Sequence, residues 1–437
     1  MSKSVRFSVP LALAALLSAA SPISGETLAE EGISFSSVYT GEAAANPVGG
    51  LRQGQDYAGE MEIGADFDLA KLADWQGSAV HFVMTDRHGR NLSADYIGNN
   101  TKVQEIYGTV GIQNVHLAVL TFEQKLFEGR LDLTAGRTEA SGSFLFTPLY
   151  CNFMTNSACG NPTFIFKDSN FTYYPASAWG GEAKGFLTEH VFLHSGVYEV
   201  NPADKAATTH GFNWGIGQAT GVTVPFEIGY ASSLADDFLP RHYQLGGWYD
   251  TSLYADPLLD KFGGLWVLTN QPKATDSGRS GAYLTFDQMI WRPDSDSGRG
   301  LTLIGVAMID LTGRVTEDRF YEIALLQTGT FAGRDLDTLG FVINDQQFSG
   351  LALTRVAAAR TSVGGGGGMA RHEIMMELAY GAQVTPALRL SPNLQYIVGP
   401  DQLAEPFRTK AIPNAFVVGF KFSLDAAQIA GLAPPGR

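Results

Sequence analysis

The sequence predicts an all-β chain that crosses a membrane as a closed antiparallel barrel. Three observations carry this. Strand-length segments alternate apolar with small or polar residues many times along the chain. Successive side chains point to opposite faces of a strand, so each segment has one apolar face and one wet face. The N-terminus reads as an export leader, and beyond it no run of about 18 apolar residues offers a transmembrane helix. An exported chain without such a helix enters a bilayer only as a closed barrel, because every backbone polar group must be paired there. Charged residues make up only 17% of the chain, against roughly 25% in soluble proteins, while the 50 glycines and 11% aromatics are abundant. Few charges, many glycines and many aromatics suit a β-protein with apolar surface to cover.

The leader is MSKSVRFSVPLALAALLSAASPISG. Lys3 and Arg6 form its basic start. Val9 to Leu17 is a short apolar core broken only by Pro10, and Ser18 and Ala20 are small enough to precede a cleavage site. Residues 1–24 are read as a signal peptide. Residues 25–437 are read as one domain, since no linker or composition shift divides them. The formal charge is −14, and without Lys3 and Arg6 the balance is 28 basic against 44 acidic residues, or −16. That excludes nucleic acid as a partner, because phosphate neutralisation needs clustered Lys and Arg.

In chain order, Gly32 to Gly41 is the first strand candidate, followed by the turn residues Asn46, Pro47, Gly49 and Gly50. Next, Met61, Ile63, Ala65, Phe67 and Leu69 share one face. Glu60, Glu62, Gly64, Asp66 and Asp68 share the other. An acidic row beside so clean an apolar row is what a wall with lipid outside and water inside asks for. Leu69 to Trp75 suits a short helical turn. The alternation recurs at Val80–Thr85, Leu131–Thr134, Gln244–Asp250, Ala282–Ile290 and Glu373–Gly381, and is less clean at Leu301–Leu311 and Tyr321–Leu326. The tight turns at Glu128-Gly129 and Pro386 contrast with long polar connections, read at Pro293 to Gly300 and Asp335 to Gln347. The closing strand, about 415–424, puts Phe416, Val418, Phe420, Phe422 and Leu424 on the lipid face. Lys421 becomes a lumen cation. This strand is expected to pair with Gly32–Gly41 and seal the barrel. A short tail, 425–437, follows, with Asp425 to Leu432 as a frayed helix.

Templates for catalysis are missing: there is no G-x-S-x-G, G-x-x-x-x-G-K-[ST] or H-E-x-x-H. The chain is therefore read as a non-enzyme that needs no cofactor or metal. Gly215, Gly217 and Gly221 are one residue too long for a dinucleotide loop and are read as small wall residues. His190 and His194 share a strand face but lack a third ligand nearby. The row Glu60, Glu62, Asp66, Asp68 offers an acid and base pair in principle, but on a barrel wall it lines water. Cys151 and Cys159 are the only cysteines. An exported pair eight residues apart in a Pro/Gly-rich loop suits a loop-closing disulfide, with two free thiols as the alternative. Gly364 to Gly368 reads as a flexible exposed loop.

Four blocks resemble the carbohydrate-selective porins of Gram-negative outer membranes, the OprB-type family. They are GLRQGQDYAGEMEIGADFDLAKLADWQGSAVHF, LTAGRTEASGSFLFTPLYCNFMTNSACGNP, YYPASAWGGEAKGFLTEHVFLHSGVYEVNP, and ELAYGAQVTPALRLSPNLQYIVGP with AFVVGFKFSL. The resemblance spans nearly all of the chain beyond the leader. It implies a barrel of about 16 strands with loops infolded into the lumen, admitting monosaccharides, glucose in particular, by passive diffusion. It implies that the Cys151–Cys159 loop belongs to the constriction and that Arg137 lies near it. Pore and substrate contacts are assigned to Arg137, Glu60, Glu62, Asp66, Asp68 and Lys421. The implied setting is an outer membrane reached through a cleaved signal peptide. The implied partners are carbohydrate, outer-membrane lipid and lipopolysaccharide, with a homotrimer or a monomer both open. The alternative is a structural or adhesive barrel with a plugged lumen. Members of this family end on the aromatic of the last strand, so the 13 residues after Leu424 are a departure.

Overall fold

The computed structural model describes residues 25–106, 113–147, 149 and 151–434. Residues 1–24, where the sequence places the signal peptide, lie outside the described residues. Sixteen antiparallel strands close into one barrel, each bonded to its sequence neighbours and the last bonded to the first. They are β1 (Ile33–Val48), β2 (Gly54–Asp68), β3 (Ser78–Gly89), β4 (Val115–Leu126), β5 (Leu131–Thr138), β6 (Ala178–Phe186), β7 (Val191–Val200) and β8 (Gly221–Ala231). Then come β9 (Arg241–Asp260), β10 (Lys273–Trp291), β11 (Gly300–Thr312), β12 (Glu317–Thr328), β13 (Thr338–Phe348), β14 (His372–Thr385), β15 (Leu388–Val398) and β16 (Ala415–Asp425).

Strand parity decides what each residue meets. Ile63 and Leu245 point outward and are 50% and 58% exposed, while Asp250 and Glu377, of inward parity, are 0% and 1% exposed. On β11 and β12 both faces are apolar because the inward residues Ile304, Val306, Met308, Phe320, Ala324 and Leu326 carry the infolded residues Phe144, Phe153, Ala158, Phe164 and Ile165. The core of this protein therefore sits inside the barrel, between the wall and its own loops.

Pairing at the seam runs from Val38 opposite Asp425 to Val48 opposite Phe416. It lies further along β1 than the expected Gly32–Gly41 because β1 continues through Asn46-Pro47. The turn follows only at residues 49–53. Asn46 shapes it: its amide donates to the Gly49 and Arg52 carbonyls at 3.0 and 2.9 Å and accepts from the Gly54 N–H at 3.0 Å.

The two rims differ. The connections 90–114, 139–177, 201–220, 349–371 and 399–414 all leave one rim, and the tight turns at Glu128-Gly129 and Pro386 lie at the other, where β1 starts and β16 ends. Long loops outside and short turns on the periplasmic side are the outer-membrane pattern. Several sequence readings change here. Asp335 to Gln347 is not a loop but largely β13, whose polar end (Asn344, Asp345, Gln346, Gln347) lies at the long-loop rim, where Asp345 meets His372 at 3.0 Å. The connection from Pro293 to Gly300 belongs to the short-turn rim. Gly215 and Gly217 lie in the 201–220 loop rather than the wall, and of the three only Gly221 begins a strand.

A helix, Gly350–Ser362, had no clear sequence signal. Its buried side carries Arg355 and Arg360 among alanines, so no apolar stripe of period 3.6 marks it. Ser349 caps it, its hydroxyl accepting from the Ala352 N–H at 3.3 Å. Arg360 then donates to the Gly366 and Gly368 carbonyls at 3.4 and 2.7 Å, so the exposed glycine run is tied back to the helix.

The tail after β16 folds onto the start of the described chain. Asp425 caps a short helix, Ala426–Ile429, by accepting from the Gln428 N–H at 2.8 Å, and the Gly25 N–H donates to the Gly431 carbonyl at 2.7 Å. Removing 426–437 should leave the barrel closed but cost about 1–2 kcal/mol for the lost cap and contacts. The check is a lower temperature for the loss of folded-form mobility on gel electrophoresis.

Candidate functional site

Between the β2–β3 wall and the infolded segment 139–177 lies a cluster of charged and aromatic side chains. Inward parity brings Glu60 and Glu62 on β2 beside Arg87 on β3, where Glu60 is the cross-strand partner of Arg87. The Arg87 side chain is 3% exposed; its guanidinium pairs with Glu60 and reaches Glu105 at 3.5 Å. The Tyr174 ring covers it, 5.5 Å from the guanidinium carbon to the ring centre. The Tyr174 hydroxyl donates to Glu62. Burial, then the Glu60 and Glu62 charges, push that hydroxyl well above the usual phenol range, so it stays a neutral donor. The Phe166 and Tyr173 rings pack at a tilt of 51° with centres 4.7 Å apart, and the Lys205 ammonium sits 4.7 Å from the Tyr173 ring centre. Burial lowers the Lys205 pKa. A cavity of about 50 Å³ remains between Arg87, Glu105, Asn156, Phe166, Tyr173 and Tyr174.

The four acids of β2 separate along the strand. Glu60 and Glu62 come together with Arg87 and Tyr174. Asp66 holds His81 at 2.7 Å, and the other ring nitrogen of His81 faces Glu123 at 3.4 Å. Asp68 caps the turn helix Leu69–Ala73 by accepting from the Ala70 N–H at 2.9 Å. Strand rise sets this separation: at about 3.3 Å per residue, Asp68 stands far below Glu60.

Lys421 lies under the loop closed by the Cys151–Cys159 disulfide. Its ammonium is 3.6 Å from Glu42, its cross-strand partner, and donates to the Phe153 carbonyl at 3.5 Å and to Cys159 Sγ at 3.2 Å. Arg137 has the outward parity of Leu131 and Leu133 and is 1% exposed beneath the 201–220 loop. It reaches Asp204 at 3.3 Å, donates to the Ser177 carbonyl at 2.6 Å, and lies 5.8 Å from the ring centres of both Trp179 and Trp214. It ties a loop to the wall. Asp204→Ala should strand this guanidinium and cost about 3–5 kcal/mol, read as a lower unfolding temperature in detergent.

Sequence reasoning singled out neither Arg87 nor Tyr174. Arg87 continues the inward parity of Val83 and Thr85, which was the available signal. Tyr174 carried none, because only folding returns residue 174 to residue 62.

A model of the carbohydrate-selective porin family, OprB, matches residues 52–425. Porin B of Pseudomonas aeruginosa is 28% identical over 417 residues, covering 90% of this chain and 87% of that protein. A putative porin, QuiX, of Acinetobacter baylyi is 25% identical over 419 residues, covering 92% and 90%. Among solved structures, a high-pH structure of Pseudomonas putida OprB is 28% identical, covers 91% of this chain and 95% of that one, and has a TM-score of 0.81.

Proposed function

Because the chain belongs to the carbohydrate-selective porin family, OprB, we propose that it passes monosaccharides of the glucose type by passive diffusion through a water-filled lumen of the outer membrane. The observation that carries this reading is the cluster of Arg87, Glu60 and Glu62 with the Tyr173–Tyr174 pair on the inner wall. A hexose is neutral, rich in hydroxyls that both donate and accept, and has C–H faces that pack on aromatic rings. Carboxylates accept from such hydroxyls, a guanidinium donates to them, and an aromatic rim covers the ring face. Each contact is weak singly, which permission to leave requires, since conduction needs binding loose enough to release. The outward apolar rows meet lipid, with lipopolysaccharide around the long-loop rim.

Proteoliposomes carrying the purified protein should swell in glucose faster than empty liposomes. Equal rates would sink the sugar reading. The apolar packing between the infolded loops and the wall favours one other reading, a plugged structural barrel. Negligible single-channel current in planar bilayers would decide for it.

A further inference from the structure

We infer that the inner wall carries a built socket for the disulfide hairpin 151–159, and that Gly340, Glu377, Gly419 and Lys421 are positioning residues that set the size limit of the channel. This rests on the channel reading but not on which solute is carried.

The socket spans β13 to β16. Glu377 on β14 is 1% exposed and spends both carboxylate oxygens on two successive hairpin amides: Met154 N–H at 2.7 Å and Thr155 N–H at 2.8 Å. A carboxylate gripping two neighbouring N–H groups fixes backbone direction as well as position. Glycines of inward parity on β13 and β16 take the side chains beside it. At Gly419 on β16 any Cβ would collide with Asn393 Oδ1 and with the Met154 methyl. At Gly340 on β13 a Cβ would stand 2.8 Å from the Phe153 ring. Lys421 closes the fourth side through the Phe153 carbonyl and Cys159 Sγ. From the other direction, the Asn156 N–H donates to the Lys102 carbonyl at 3.0 Å. The disulfide sets the shape of the hairpin, and the socket sets how far it stands from the wall.

Releasing the hairpin and pushing it both take it off the wall, and the noise of the open-channel current tells the two apart. Glu377→Ala frees two hairpin amides and lets the hairpin leave the wall. The disaccharide-to-monosaccharide swelling ratio should change by about twofold or more, with noisier open-channel current. Glu377→Gln, which keeps one acceptor oxygen, should fall between Ala and the native protein. Gly340→Ala and Gly419→Ala push Phe153 and Met154 toward the lumen and should lower single-channel conductance, with current no noisier than native. Each variant is compared with the native full-length protein after insertion into planar bilayers and liposomes. A merely stabilising role would move the unfolding temperature alone. Native conductance, noise and swelling ratio in inserted Glu377→Ala and Gly419→Ala proteins would overturn the assignment. Absence of glucose entry through the native protein would remove the sugar reading instead, and the ion currents would still decide the socket.

Discussion

An Arg87→Ala channel should favour cations over anions about tenfold more than the native channel and should pass glucose more slowly. Arg87 is the cation that Glu60 and Glu105 share on the inner wall. A unit charge about 4 Å away is worth roughly 4 kcal/mol at an effective dielectric of 20, and salt screens much of that. If about a third survives, some 1.4 kcal/mol of barrier difference remains, which is tenfold. Reversal potentials across a salt gradient measure the first effect, and liposome swelling measures the second. Arg87→Lys separates charge from geometry: it should hold ion selectivity near native yet still slow glucose, because an ammonium lacks the planar fork. An unchanged reversal potential in Arg87→Ala would remove Arg87 from the conduction path.

Replacing both Cys151 and Cys159 by Ser should alter conductance or sugar selectivity while the barrel still inserts. Closing so small a loop is worth on the order of 2–3 kcal/mol in the chain-entropy picture. The sixteen strands do not depend on it, since their ladder bonds run from neighbour to neighbour around the barrel. The hairpin does depend on it, because Cys159 is also where Lys421 touches the loop. Permeation identical to native would reduce the bridge to a stabilising role.

The parity of Phe416 to Leu424 illustrates how far local pattern reaches. Val418 and Phe420 are outward and 45% and 40% exposed, while Val417 and Lys421 are 0% and 9% exposed, as alternation requires. The polar end of β13 shows where it fails. A run of Asn, Asp and Gln reads as a loop unless one knows that it stands at a rim, beyond the apolar band. The both-sided apolar pattern of β11 and β12 fails for a related reason: its inward half answers to Phe153 and Phe164, far away in sequence. Lys421 and Arg137 make the same point for charges. Parity or motif marks each as notable, but their partners, the Phe153 carbonyl and Asp204, come from loops whose paths no periodicity reports.

By itself the sequence determined that this protein is a barrel and which strand residues share the outward and which the inward parity. Those properties follow from the two-residue repeat of a strand and from the bilayer's demand for paired backbone groups. Tertiary structure alone decided what each inward group meets. Several inward carboxylates, Glu42, Glu227, Asp250 and Glu377 among them, accept from backbone N–H groups of infolded loops. Glu60 and Glu62 are held instead by Arg87 and Tyr174. A buried backbone amide needs an acceptor wherever the loop happens to fold, and that need, set by contacts distant in sequence, decides which inward acids are spent on loop backbone.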